Sequence, residues 1–470
     1  MRKLAYFAIT LSILFGLSLV QAQENMQYWG MPVYGFHDFN ASGFGARSRA
    51  MGGTFMALNN KGFGSFMNPA GMVYVEKSLM SLEVLNSQDK FKDKYIYREN
   101  FAFFGQTPDS IFAQLVRAGL TEGEYDGKRT SITQAGAVAP FTYFGRDWWF
   151  GGGFRTVYDL SFKYYAYKES LNAAIEQTYT DSRGIDALNF SLATGLTPNL
   201  NLGVNMNVYV RGYETNLYFK ASENGLSDTF RKRDKSRVSG ANFDFGAVGD
   251  FDMLRLGIVL RSKYTLKQNS NYFRGLLDVY GDDNGFIDRV TTTTDFPFTY
   301  GGGVAFMPND KLTLAADIDL KPYSKVRMTI NPESNNWRDI NDYDPGWQDL
   351  TQFRIGAEYM LDGGFAKIPI RAGFHNLPSL KTDGDVVVDT VSGTLLPELI
   401  VTTEPGGDQI STSIISFGSG VHFDKVWFDI AYEFGSSDYE QQVSGYWGYA
   451  LEEPLDYKYS RLYFSAGMLF

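Results

Sequence analysis

The sequence predicts an all-β protein: a fourteen-stranded antiparallel transmembrane β-barrel with an N-terminal hatch, or plug, of short helices inside its lumen. Three observations carry that prediction. Long stretches alternate apolar and polar residues with a period of two, six tight polar turns recur at near-constant spacing, and the last strand ends on an aromatic residue. Alternation alone also suits a soluble sandwich with one dry and one wet face. Length separates the two, because several runs exceed the ~5–6 residues of ordinary strands and reach the ~9–11 that cross a bilayer obliquely.

Composition narrows the function classes. The 470 residues include 49 Gly, 30 Tyr and 38 Phe but no Cys, and carry a formal charge of −10. Without cysteine there is no disulfide framework, thiolate metal site or cysteine nucleophile. Three scattered histidines, His37, His375 and His422, leave little material for a zinc or iron centre. An acidic balance disfavours a nucleic-acid partner, since phosphate contacts need a basic face.

Along the chain, Arg2 and Lys3 precede an apolar stretch from Leu4 to Val20 that ends at Gln21-Ala22. This reads as a secretory signal over residues 1–22, with an N-terminal membrane anchor as the other reading. Beyond it no run of roughly eighteen apolar residues recurs, so helical spans are not expected. Residues 23–77 are dense in Gly, Phe and Met, as in Gly43-Phe44-Gly45, Met51-Gly52-Gly53-Thr54-Phe55-Met56 and Phe66-Met67-Asn68-Pro69-Ala70-Gly71-Met72. A water-exposed linker is rarely this apolar, so the segment is expected inside the lumen as a hatch. The barrel then occupies 78–470, with its first strand at about 78–87.

The strands follow from their faces. Leu254, Leu256, Ile258, Leu260, Ser262, Tyr264 and Leu266 share one parity, while Arg255, Gly257, Val259, Arg261, Lys263, Thr265 and Lys267 share the other. The same division holds for Leu200 to Val210 against Asn201 to Arg211, Leu312 to Leu320 against Thr313 to Lys321, and Val426 to Phe434 against Trp427 to Gly435. Such a strand separates two different solvents. Short turns at Gly145-Arg146-Asp147, Pro198-Asn199, Asp250-Phe251-Asp252, Pro308-Asn309-Asp310, Asp362-Gly363-Gly364 and Asp424-Lys425 have centres at 146, 199, 251, 309, 363 and 424, hence 53, 52, 58, 54 and 61 residues apart. Between them lie polar segments at 88–131, 163–183, 219–236, 269–293, 331–350, 377–408 and 441–455, expected as seven long external loops. Six short turns and seven long loops require fourteen strands with both ends on the short-turn side. Phe470 closes an alternating terminal strand and resembles the signal read by the barrel assembly machinery. A lumen this wide is a water channel unless something plugs it.

The hatch carries a resemblance. Gly45-Ala46-Arg47, Ala50-Met51-Gly52-Gly53-Thr54-Phe55-Met56-Ala57-Leu58 and Asn68-Pro69-Ala70-Gly71-Met72 look like the N-terminal signature of the FadL/TodX family of outer-membrane transporters of hydrophobic compounds. The motif spans about thirty residues, and the strand count extends the likeness over the mature chain. The resemblance implies a hatch motif at Asn68, Pro69, Ala70 and Gly71. It also implies passive capture of long-chain fatty acids or hydrocarbons near the external loops, hatch movement, and lateral release through a kink in the third strand. That strand is expected to begin near Trp148, and Gly151, Gly152 and Gly153 within it permit a bulge; a plain glycine bend that only closes the barrel is the equal alternative. The same family contains protein-secretion shuttles, which stand as an alternative beside a general porin or a structural barrel.

Further site expectations are as follows. Phe101, Phe104, Phe112 and Leu115 belong to an apolar loop segment suited to an amphipathic helix over the mouth, where ligand would first be held. Arg255, Arg261 or Lys263 could hold a ligand carboxylate, although such charges are mostly salt bridges across the lumen. Asp282, Asn284 and Asp288 resemble part of a calcium loop, but Tyr280 and Thr291 would fall at its first and last ligand positions, so a polar turn is the main reading. Arg231, Lys232, Arg233, Lys235 and Arg237 could meet lipopolysaccharide phosphates, or form a solvated loop face. Ser419 and His422 lack the spacing of a nucleophile elbow and point to opposite faces of a strand, so no enzyme is expected. No cofactor is implied, and a monomer in the bacterial outer membrane is the expected state.

Overall fold

A computed structural model describes residues 45–58, 66–93, 123–159, 162–170, 173–223, 226–277, 283–333, 339–382, 386–391, 398–403, 408–444 and 450–470. Residues 1–44 lie outside it, including the expected signal segment. The wall strands are β1 (Leu79–Asp93), β2 (Gly123–Tyr143), β3 (Arg146–Asp159, continued by Phe162–Ser170), β4 (Ala173–Thr197), β5 (Leu200–Glu223) and β6 (Leu226–Phe251). They continue as β7 (Leu254–Arg261, then Tyr264–Leu277), β8 (Asp283–Phe296, then Thr299–Asn309) and β9 (Leu312–Lys321, then Arg327–Pro332). The last five are β10 (Leu350–Asp362), β11 (Lys367–Thr382), β12 (Gln409–His422), β13 (Val426–Ser444) and β14 (Ala450–Leu469). Each pairs antiparallel with the next, and β1 pairs with β14 from Leu79↔Leu469 to Lys92↔Asp456. The sheet is therefore closed on itself, its first strand paired to its last.

Burial follows the alternation. On β7, Ile258 is 55% exposed while its neighbour Val259 is fully buried. The same holds for Phe428 and Phe417 outside against Glu433 and Ser416 inside. The apolar face looks outward and the polar face inward, the inverse of a water-soluble protein and the arrangement a lipid solvent requires. Among the described residues no helix is long and apolar enough to cross a membrane.

Two expectations are corrected here. Segments 163–183, 219–236 and 269–293, expected as irregular loops, are largely ladder: Tyr165 pairs with Thr178, Tyr218 with Arg231, and Tyr272 with Asp288. Above the bilayer both faces of a hairpin meet water, so the period-two contrast that betrays a strand disappears while the pairing continues. The single parity drawn from Leu254 to Leu266 is also wrong. Between Asp244↔Arg261 and Ser239↔Lys267 the pairing of β6 with β7 slips by one residue at Ser262-Lys263, and a one-residue bulge exchanges the faces. Leu260 consequently points outward, and Leu266 is buried inside.

Candidate functional site

The lower lumen holds residues 45–58 and 66–78. Helix α1 (Gly45–Ala50) begins at a glycine with φ +80°. Its Ala46 N–H donates to Ser465 Oγ on β14 at 2.7 Å. Arg47 donates through Nε and Nη2 to the two Glu358 oxygens on β10 at 3.0 and 2.7 Å. Glu358 also accepts from Arg371 Nε on β11 at 2.6 Å, and Arg371 Nη1 donates to Asp429 on β13 at 2.7 Å. Asp429 in turn lies 2.8 Å from His422 Nε2 on β12. Four charged groups and the His422 ring thus tie α1 to four consecutive wall strands. Farther along, the Phe55 and Met56 N–H groups donate to Asp317 Oδ2 on β9 at 2.7 and 3.1 Å.

The Asn68-Pro69-Ala70-Gly71 turn is built by one side chain. Asn68 caps a 3-10 turn (Pro69–Tyr74), its Oδ1 accepting from Ala70 N at 3.1 Å and its Nδ2 donating to Met56 O at 2.7 Å and to Ala247 O on β6 at 3.3 Å. Proline suits the first position of such a turn because its missing N–H would have no partner there. Asn68→Ala is expected to lose the cap and leave the buried Met56 carbonyl unpaired, costing the hatch about 1–3 kcal/mol. Faster protease cutting between residues 45 and 75 in the folded barrel would record it.

The wall is shaped to receive this segment. A Cβ on Gly257 would overlap the Met56 carbonyl, one on Gly356 the Met51 carbonyl, one on Gly373 the Gly52 nitrogen, and one on Gly203 the Ala70 nitrogen. These inward glycines on β5, β7, β10 and β11 let hatch main chain lie against wall main chain. Of the three glycines expected to mark a kink, only Gly153 has an atom of this segment beside it. At Gly151, Gly152 and Gly153 the ladder is continuous on both sides of β3, and the register shift comes later, between Thr156 and Tyr158. Gly153 faces Phe66, whose ring a Cβ would meet at 2.8 Å.

Above the hatch, inward side chains of β4 to β11 form an apolar cluster that includes Ile185, Tyr209, Leu266, Phe296, Tyr323 and Leu350, with Tyr264 and Trp347 packed against it. Its rings are ordered: Tyr209 and Tyr264 stack at 5.3 Å, Tyr264 and Phe296 at 4.7 Å and 6° from parallel, and Phe296 meets Tyr323 edge-on at 5.6 Å. Tyr209 OH donates to Asn242 at 2.9 Å, and Asn242 belongs to a polar patch with Asn207 and Asp244. An apolar cluster fixed by a polar rim can hold a hydrophobic molecule by shape and orient it by few bonds.

The remaining predicted residues fall elsewhere. Phe101, Phe104, Phe112 and Leu115 lie outside the described residues. Arg255 pairs with Asp250 at 2.8 Å and stacks over Tyr74, and Arg261 pairs with Asp319 at 2.8 Å, so both act in salt bridges. Lys263 sits at the β7 bulge and is exposed. Asn284 and Asp288 pair in a regular ladder with Leu276 and Tyr272; Asp282 lies outside the described residues. Over the described residues 283–288 a strand stands where a polar turn was expected. Arg231 to Arg237 stand on the β5–β6 hairpin, where Arg233 pairs with Glu214 at 3.0 Å. Ser419 donates to Pro369 O at 2.8 Å and His422 is held by Asp429, so the two do not act together. Phe470 N–H donates to Ser78 O at 2.9 Å, joining the chain end to the start of β1. The aromatic cluster was missed because two of its members, Tyr264 and Leu266, were assigned to the lipid face; the signal available was Tyr209, an aromatic among the polar positions of β5.

No protein-family model matches the chain and no curated protein matches its sequence. Solved structures do resemble it in fold. The Pseudomonas putida toluene transporter TodX is 14% identical, with a TM-score of 0.58 over 92% of this chain and 99% of that one. A Pseudomonas aeruginosa FadL homologue is 16% identical, with a TM-score of 0.55 over 90% and 97%. The Ralstonia pickettii toluene transporter TbuX is 16% identical, with a TM-score of 0.51 over 92% and 100%. The likeness spans nearly the whole of each neighbour and is one of fold.

Proposed function

We propose that this barrel shares the task of the transporters whose fold it has, and carries hydrophobic compounds across a bacterial outer membrane by passive capture, hatch movement and lateral release. One observation carries the reading: a barrel with a polar inner face holds a buried stack of aromatic rings, Tyr209, Tyr264, Phe296 and Tyr323, above a segment bonded to the wall. The lumen of a general water-filled porin is lined by polar groups. An apolar ligand gains about 0.8 kcal/mol per buried methylene, enough for capture without a covalent step or a cofactor.

In this reading residues 23–77 are the hatch, Asn68 to Gly71 its pivot, and the external hairpins with Phe101, Phe104, Phe112 and Leu115 the first capture surface. The outward apolar band meets lipid, the Arg231–Arg237 hairpin meets lipopolysaccharide, and Phe470 serves the assembly machinery; the barrel works as a monomer. The experiment is purification in detergent followed by mass spectrometry of copurifying apolar molecules and single-channel recording. A bound apolar compound with little ion conductance supports transport, and a large steady conductance overturns it. Phe296→Leu keeps apolar volume but removes the central ring. It is expected to weaken binding of the fluorescent aromatic probe N-phenyl-1-naphthylamine about three- to tenfold, since an aromatic pair is worth about 0.5–1.5 kcal/mol.

A further inference from the structure

The wall is interrupted beside the aromatic cluster. Pairing of β8 with β9 runs from Val290↔Pro332 to Asp295↔Arg327, stops, and resumes at Tyr300↔Leu320. On the other flank, the ladder between β9 and β10 ends at Lys321↔Leu350. Residues 322–326 therefore pair with neither neighbour among the described ladders. Pro297 and Pro322 stand at the gap, and neither has an N–H to donate.

What fills the gap is a self-contained 3-10 turn (Tyr323–Lys325). Its backbone bonds close within itself, Lys325 N to Pro322 O at 3.2 Å and Val326 N to Tyr323 O at 3.0 Å. Three more backbone groups are met by side chains instead of the ladder. Ser324 N–H donates to Asp349 at 2.9 Å, and Arg327 donates to Ser324 O and Val326 O at 3.1 and 2.7 Å. Tyr323 and Val326 are buried inward while Ser324 and Lys325 are exposed. Tyr323 closes over Phe296 and Trp347, and Phe298 and Tyr300 beside the gap present large exposed apolar faces outward. The turn thus has Tyr323 in the ring cluster on its inner side and Ser324 and Lys325 on its exposed side.

Its height fixes the solvent it faces. Below the turn β9 has ten residues, Leu312–Lys321, about the number that crosses a bilayer obliquely. The turn thus stands at the external edge of the hydrocarbon layer, above the hatch seat.

We infer that the Pro322–Val326 turn is a side inlet: it swings outward as a unit, withdraws Tyr323 from the ring stack, and admits uncharged hydrophobic molecules dissolved in the outer leaflet. The inference rests on the transport reading and adds a route to it. Moving the turn breaks no ladder bond, so it costs the Asp349 and Arg327 contacts and the Tyr323 packing, and leaves the barrel closed. The Arg327 arm is itself anchored outside, within 3.2 Å of Asp344.

The chain contains no cysteine, so an introduced pair reports unambiguously. Phe298→Cys with Ser324→Cys, joined by a short reducible bis-thiosulfonate, ties the turn to β8. Transfer of N-phenyl-1-naphthylamine from the outer leaflet of proteoliposomes should slow tenfold or more on cross-linking and recover on reduction. An unchanged rate in the cross-linked protein overturns the inlet. Asp349→Ala, which frees the Ser324 N–H, should speed transfer severalfold; an unchanged or slower rate counts against the turn as the moving part. If the wild-type protein transfers no probe at all, it is the transport reading that fails.

Discussion

Gly373→Ala is expected to unseat the hatch and open a conducting pore, while Gly152→Ala leaves the barrel closed. The two changes add the same methyl group to the same kind of strand. At Gly152 the nearest atom is Asn189 O at 3.5 Å, ordinary contact. At Gly373 the methyl would fall on the Gly52 main chain, and Gly52, at φ +66°, lies so close to the wall that a Cβ of its own would overlap the Ile355 and Phe374 backbones. Overpacking costs about 1–3 kcal/mol where neighbours can relax. Here both surfaces are main chain, one held by the barrel ladder and the other by the Ser416 bond to Gly52 N at 3.0 Å, so the upper end applies. Adding Gly356→Ala across the ladder removes the remaining room, since Gly356 pairs with Gly373 under the same turn. Single-channel recording reads the result as steady conductance steps absent from the wild type and from Gly152→Ala. A double variant that stays closed would show that the hatch is not seated by these glycines.

That pair also explains what could and could not be read from the chain. Alternation and turn spacing are local, so the strand count, the inverted faces and the short-turn side were legible. What the strands do where local rules lapse was not. The bulge at Ser262-Lys263 leaves no mark, because Tyr264 and Leu266 continue the apolar parity of Leu260 while standing on the opposite face. The hairpins above the membrane lose their alternation, since both faces are wet, and so looked like loops although they are ladder. Glycines were ambiguous for a related reason. Gly151 to Gly153 looked like a bend, yet the ladder there is unbroken, and a Cβ on Gly153 would meet the Ala135 and Gly136 backbone of β2 as well as Phe66. Inward glycines such as Gly257 and Gly373 are 116 residues apart in sequence, and only closure of the sheet brings them under one short segment.

Glu358→Gln is expected to cost about 3–5 kcal/mol, the range for removing one partner from a buried ion pair, and to do so at two places at once. The substitution keeps the shape of the side chain and removes its charge. Arg47 and Arg371 then share a neighbourhood with one carboxylate, Asp429, which His422 already engages. Arg371 is fully buried, so water cannot replace the lost partner, and added salt will screen little of the effect. The Arg371 leg joins β10 to β11 and belongs to the wall; the Arg47 leg belongs to the hatch. Arg47→Met separates them, because it removes only the second and leaves Glu358 with Arg371. Its expected signature is faster proteolysis of residues 45–58 with a nearly unchanged barrel unfolding temperature, whereas Glu358→Gln lowers both. Arg371→Met in the Glu358→Gln background should cost less than the two single changes together, since the second removes the charge the first stranded. Simple addition of the two costs would mean that Arg47, Glu358 and Arg371 hold hatch and wall as separate contacts rather than as one network.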